Sequence, residues 1–145
     1  MNEQRFTMMN LASREMVGNI RDIIEIVSTV ELNNYGEGRF QNGPTMVEFK
    51  PTEIESEEQT FNVYLPINEE VSGEGNDGVN WKWIPELDIT KVLRSRVPFD
   101  EGIETKLEEM KSYLQENSIP YEDRLILLFS KIYEEYWVDM VIPYV

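Results

Sequence analysis

TFNVYLPI (residues 60–67) and EYWVDMVIPYV (residues 135–145) are two versions of one strand. Each is a short apolar run closed by an aliphatic residue and a proline, Leu65-Pro66 in one and Ile142-Pro143 in the other. Four positions before each proline stands a polar side chain, Asn62 and Asp139. Strand side chains alternate between two faces. Phe61, Val63 and Leu65 therefore share one face, and Asn62 and Tyr64 share the other. In the last strand Val138, Met140 and Ile142 oppose Trp137, Asp139 and Val141. The apolar sets are expected to pack under helices and the mixed sets to face away. A slip of one residue would bury Asp139 and expose three apolar side chains, so the register is well determined.

Outward from these strands the same order of elements occurs twice. Gln4 to Leu11 reads as a strand. The run from Met16 to Leu32 sets Val17, Ile20, Ile24 and Val27 at helical spacing. A Gly- and Asn-rich loop, NNYGEGRFQNGP, leads to the strand TMVEFK, and the acidic segment PTEIESEEQ leads to TFNVYLPI. The linker NEEVSGEGNDGVN has no periodicity and ends at WKWIP. In the second half ELDITKVLRSRV reads as a strand, with Leu87, Ile89, Lys91 and Leu93 alternating against Asp88, Thr90, Val92 and Arg94. The helix that follows has Asp100 as its N-cap and Ile103, Leu107, Met110 and Leu114 as its apolar stripe. Asn117 and Pro120 end it, and two strands close the chain. The expected fold is α+β: duplicated strand-helix-strand-strand modules with pseudo-twofold symmetry, an antiparallel sheet and two helices on one face. One domain fills 1–145, with module one at about 1–67, a linker at about 68–85 and module two at about 86–145.

Composition narrows the chemistry. The chain has 145 residues, 41% of them hydrophobic, enough for one buried core. It contains no cysteine and no histidine, which removes thiol nucleophiles, thiolate zinc sites, disulfides and imidazole catalysis. No metal site or cofactor is expected. The cluster Glu53, Glu55, Glu57 and Glu58 reads as a solvated hairpin and not as a calcium loop. No signal peptide or membrane span is visible, so a cytoplasmic protein with no membrane partner is expected. The net charge of -15 opposes a phosphate backbone, so direct nucleic-acid contact is not expected. A cationic ligand or a basic protein surface suits that charge better.

The duplicated order, together with the strand endings VYLPI and VDMVIP, resembles the GyrI-like superfamily, the effector-binding domains of many bacterial transcription regulators and their stand-alone relatives. The resemblance covers nearly the whole chain. In that family the final strand carries an acidic residue, commonly Glu, four positions before a proline. Asp139 holds that place here, with a shorter side chain. The resemblance implies a groove between the halves that binds amphipathic, often cationic, aromatic compounds. Because no DNA-binding domain fits before the first strand, the stand-alone form is expected.

Residue chemistry points to the same groove. A carboxylate flanked by rings holds an organic cation by charge and by cation–π attraction. Asp139 and Trp137 share a strand face, and Tyr64 and Asn62 take the matching positions in the other half. Trp81 and Trp83 can wall the groove, and Glu48 alternates onto the same side as Met46 and Lys50. The leading reading is a non-enzymatic small-molecule-binding protein. The second is an acidic protein-interaction module for a basic partner: a gyrase-binding role, a toxin or a secretion partner. A hydrolase using Asp139, Tyr64 and Glu48 is the third, and no nucleophile–base pair supports it.

Overall fold

The stripe of the second helix is where the core begins. In a computed structural model of the chain, α2 spans Ile103–Glu116 and buries Ile103, Leu107, Met110 and Leu114, the four residues its spacing predicts. The structure describes residues 2–19, 22–36, 41, 43–50, 58–67, 73–74, 80–98, 103–132 and 135–144. The expected N-cap Asp100, the acids Glu53, Glu55 and Glu57, and most of the linker lie outside the described residues. At its other end α2 stops at Ser118, which adopts a left-handed φ of 54°. The amide of Ile119 donates to the Leu114 carbonyl and that of Ser118 to the Gln115 carbonyl, so the last turn is satisfied before Pro120.

The first helix starts later than its spacing suggests. α1 spans Ile23–Gly36 and turns Ile23, Val27 and Val30 inward. Val17, expected on that helix, lies in the first strand opposite Thr60 and is 61% exposed. Ile20 lies outside the described residues. Val17 happens to extend the helical period backwards, but its backbone is taken up by strand pairing.

Among the described residues seven strands accompany the helices: β1 (Asn2–Gly18), β2 (Thr45–Phe49), β3 (Gln59–Pro66), β4 (Gly73–Glu74), β5 (Asn80–Pro98), β6 (Leu125–Ile132) and β7 (Glu135–Pro143). β4 is a two-residue addition to β5. The other six form one antiparallel sheet in the order β1-β3-β2-β6-β7-β5, and β1 also pairs with β5. The pairing thus runs in a closed circuit. β5 begins at Asn80, so the expected linker gives way to strand before residue 86. Its early part is held by β1, where Ser13 stands opposite Lys82 and Leu11 opposite Ile84.

Two cores lie on the two faces of this sheet. Both helices cover one face, where Val47, Phe61, Val63, Leu127, Val138 and Met140 are buried with them. The strand parity read from the sequence is the observed one. The opposite face carries a second cluster built on Phe6, Leu11, Met46, Tyr64, Ile126 and Val141. Met8, Ile84, Leu87 and Ile89 pack against it from the long β1–β5 ribbon. The helix-free face is therefore largely filled and not open as a continuous groove.

Two irregularities let the long strands serve both clusters. Asn10 adopts a φ of 59°, a conformation asparagine tolerates better than most L-residues. There β1 changes partner, and the Asn10 carbonyl accepts from the Ile67 amide at 3.0 Å. In β5 the register slips between the Phe6–Ile89 and Gln4–Val92 pairs. This bulge breaks the alternation expected through residues 87–94, so that Leu87, Ile89 and Val92 all meet the second cluster while Leu93 joins the first.

Leu107→Ala should lower stability by roughly 2–5 kcal/mol through cavity formation, read as a lower urea midpoint. Asn10→Val should cost about 1–2 kcal/mol, because a β-branched residue resists the left-handed conformation, whereas Asn10→Gly should be near neutral. Equal midpoints for the two Asn10 variants would contradict the bend.

Candidate functional site

On the helix-free face, β2, β3 and the residues just ahead of β6 surround a cavity of about 430 Å³. Glu48, Lys50, Thr60 and Asn62 line it from the first half, and Asp123 and Arg124 from the second. Glu48 stands opposite Asn62 on β3 and opposite Ile126 on β6, which brings Arg124, just ahead of β6, to the carboxylate. Arg124 donates to Glu48 Oε1 from Nη2 at 2.6 Å and from Nε at 3.2 Å. The pair is mostly sheltered, with the Glu48 side chain 16% exposed. Tyr64 is buried in the second cluster, close enough to Glu48 to feel its charge. Burial, and then the Glu48 charge, push the phenol up to about 12. Tyr64 thus stays protonated near neutrality, with little surface of its own.

Asp139 occupies a different place. Its Cα partners are Leu128 on β6 and Arg96 on β5. Asn62 and Asp139 share the face but are three strand spacings apart, about 14 Å. Asp139 Oδ1 accepts from Arg96 Nε at 2.7 Å, and Oδ2 accepts from Arg94 Nη2 at 2.7 Å and from Arg96 Nη2 at 3.2 Å. Burial raises the carboxyl pKa, but hydrogen bonds from Arg96 and Arg94 and their charges outweigh it, so the group ends below its ordinary value. The carboxylate that the sequence reading turned towards a cation is already met by two guanidinium groups.

The aromatic candidates divide. Trp137 is half-buried on the Asp139 face, opposite Ser130 on β6 and Pro98 on β5. Trp83 packs against the helix-side cluster, away from Tyr64. The Trp81 backbone pairs with Gly73, and its side chain lies outside the described residues. Sequence reasoning missed Arg94, Arg96 and Arg124. The alternation LRSRV holds a signal for the first two, since Arg94 and Arg96 must oppose Leu93 and Val97. Arg124 becomes visible only once the β2–β6 register is known.

No family model matches the sequence, and no curated protein matches it. Solved structures do match. The crystal structure of the EcmrR C-terminal domain aligns with a TM-score of 0.71 at 9% identity, covering 99% of this chain and 97% of that one. The cryo-EM structure of an EcmrR–DNA complex aligns with a TM-score of 0.69 at 9% identity, covering 99% of this chain and 57% of that one. The chain has the fold of the EcmrR C-terminal domain. The likeness shows an α+β fold of the expected class, but it does not support a stand-alone form, because in EcmrR the fold is one domain of a longer chain. One expectation about partners is overturned. Net charge argues against direct nucleic-acid contact, yet a chain containing this fold was solved in a complex with DNA. Charge summed over one domain says nothing about what the rest of a chain contacts. No helix among the described residues is long and apolar enough to cross a membrane.

Asp139→Asn should destabilise by about 1–2 kcal/mol at pH 7, discounted for the half-exposed Arg96. The folded pKa of Asp139 is lowered, so its contribution is complete above the unfolded value near pH 4 and fades as pH falls through the folded one. Urea midpoints of wild type and variant should therefore converge below about pH 4. A constant gap down to pH 2 would mean the ion pairs are not its source.

Proposed function

We propose that the chain is a small-molecule-binding domain of effector-binding type, and that its site is the cavity at Glu48, Asn62 and Arg124. The observation that carries this reading is the origin of the lining. Strands of the first half and the residues just ahead of β6 in the second line one polar space of about 430 Å³, within the range of small-ligand sites. Glu48 and Asn62 are assigned as ligand contacts, with Arg124 holding Glu48 in place. The occupant is a small polar molecule that hydrogen-bonds to the Asn62 amide, the Thr60 hydroxyl and the Lys50 ammonium.

The reading includes an internal duplication with module one at about 1–67 and module two at about 86–145. Matching registers support it. The Asn10 carbonyl accepts from Ile67 in the first half, and the Lys91 carbonyl accepts from Tyr144 in the second. Isolated bridges join Gln41 to Ile67 and Tyr121 to Tyr144. Val47 and Leu127, at like places in the two halves, stand opposite each other, as residues on a pseudo-twofold axis would.

Binding is favoured over catalysis. Glu48 is committed to Arg124, and Tyr64 with a pKa of about 12 is a weak proton donor at neutral pH. The cysteine-free composition supports a cytoplasmic setting. A panel of small polar and aromatic compounds, screened by thermal shift, tests the cavity. A ligand at a hundred times its Kd should raise the wild-type Tm by roughly 5–10 °C. Asn62→Trp, which fills the space, should abolish that shift. Compounds that stabilise both proteins equally, or a panel that stabilises neither, would count against the reading.

A further inference from the structure

The clamp on Asp139 lies at the far side of the sheet from the cavity and has a charge of its own. Two guanidinium groups meet one carboxylate, which leaves a local charge of +1 on a chain whose total is -15. The surplus is turned outwards. The Asp139 side chain is 10% exposed, whereas Arg94 is 31% and Arg96 is 56% exposed. Each guanidinium carries five N–H donors in a rigid plane. Asp139 takes one from Arg94 and two from Arg96. It therefore acts as a buried anchor that fixes the planes of both arginines while Arg96 keeps donors towards water.

Three neighbours complete the patch. Trp137 lies two residues from Asp139 on the same strand face, half-buried, with Pro98 opposite it on β5. Ser130 stands opposite Trp137 on β6, on the parity of Leu128. Glu135 follows on that face and is exposed at the strand end, beyond Trp137 from the clamp. An indole, a hydroxyl and two oriented guanidinium groups thus lie side by side. The backbone ladder from Val92–Pro143 to Pro98–Trp137 already joins β5 to β7, so two arginines are more than the strand pairing needs.

We propose that this patch binds a planar aromatic carboxylate. The ligand carboxylate takes the outward donors of Arg96 and Arg94, and its ring lies against Trp137. An arginine fork matches a carboxylate in geometry as well as in charge, and anchoring by Asp139 spares the ordering cost. An organic cation would first have to displace two arginines from Asp139. The proposal goes beyond the cavity reading and does not depend on it.

Calorimetric titration with 2-naphthoate, 2-naphthamide and 2-naphthylmethylammonium tests it. The folded wild type should bind the carboxylate at least about tenfold more tightly than the amide, and the ammonium more weakly still. Arg96→Gln should remove most of that preference. Arg96→Lys, which keeps the charge and loses the fork, should retain part of it. Trp137→Leu should weaken carboxylate and amide alike. Circular dichroism and urea midpoints establish that each variant is folded. Equal affinity for carboxylate and amide, tighter binding of the ammonium, or no binding of 2-naphthoate by the wild type would overturn the proposal. Asn62→Trp separates the two sites: 2-naphthoate binding should be unchanged. If that variant abolished it, the probe would occupy the cavity, and the clamp proposal would fall while the cavity reading stood.

Discussion

The pairing of β1 with β5 is the constraint on which the rest of this structure depends. It runs from Asn2–Arg94 to Ser13–Lys82 and joins the two outermost strands of what would otherwise be an open sheet. Closing the circuit removes two edges that would invite pairing with other chains. It also places Phe6, Met8, Leu87 and Ile89 over the helix-free face, so Met46, Ile126 and Val141 are buried on the side the helices do not reach. Burial on both faces accounts for the continuous apolar run LILLF in β6, which a sheet wetted on one side would not require. Asn10 and the bulge in β5 are the local means by which two long strands cross from one cluster to the other.

A filled second face changes what its polar residues can do. A carboxylate beside an apolar cluster loses hydration and needs a partner. Both acidic positions read as groove residues have found one: Arg124 for Glu48, and Arg94 with Arg96 for Asp139. The two sites differ because the partners differ in number. One arginine neutralises Glu48 and leaves a polar cavity, whereas two arginines overcompensate Asp139 and leave a positive patch. The changed polar letter between the two strand endings, Asn62 and Asp139, thus separates two surfaces about 14 Å apart, not two sides of one groove.

The likeness to the EcmrR C-terminal domain at 9% identity shows how little of the sequence this architecture requires. What it requires is parity on the strands, a stripe on each helix and the closing ribbon, and many sequences supply those. A shared fold at that identity does not set what a domain binds, which belongs to individual side chains.

The parity of β3 and β7 was legible in the sequence, because a one-residue slip would have buried Asp139 and exposed three apolar side chains. So was the buried stripe of α2, because Ile103, Leu107, Met110 and Leu114 repeat at one helical spacing with acids between them. The start of α1 was not, since Val17 mimics a helical period in a segment that strand pairing claims. Nor was the site. Candidate residues could be placed on a face, and Glu48 and Asn62 do line one cavity there. Their partners come from strands distant in sequence: Arg124 reaches Glu48 across 76 residues and Arg96 reaches Asp139 across 43. A repeating pattern fixes which way a side chain points, because that is decided within one strand. Which charge it meets depends on the register between strands, and only the folded sheet sets that.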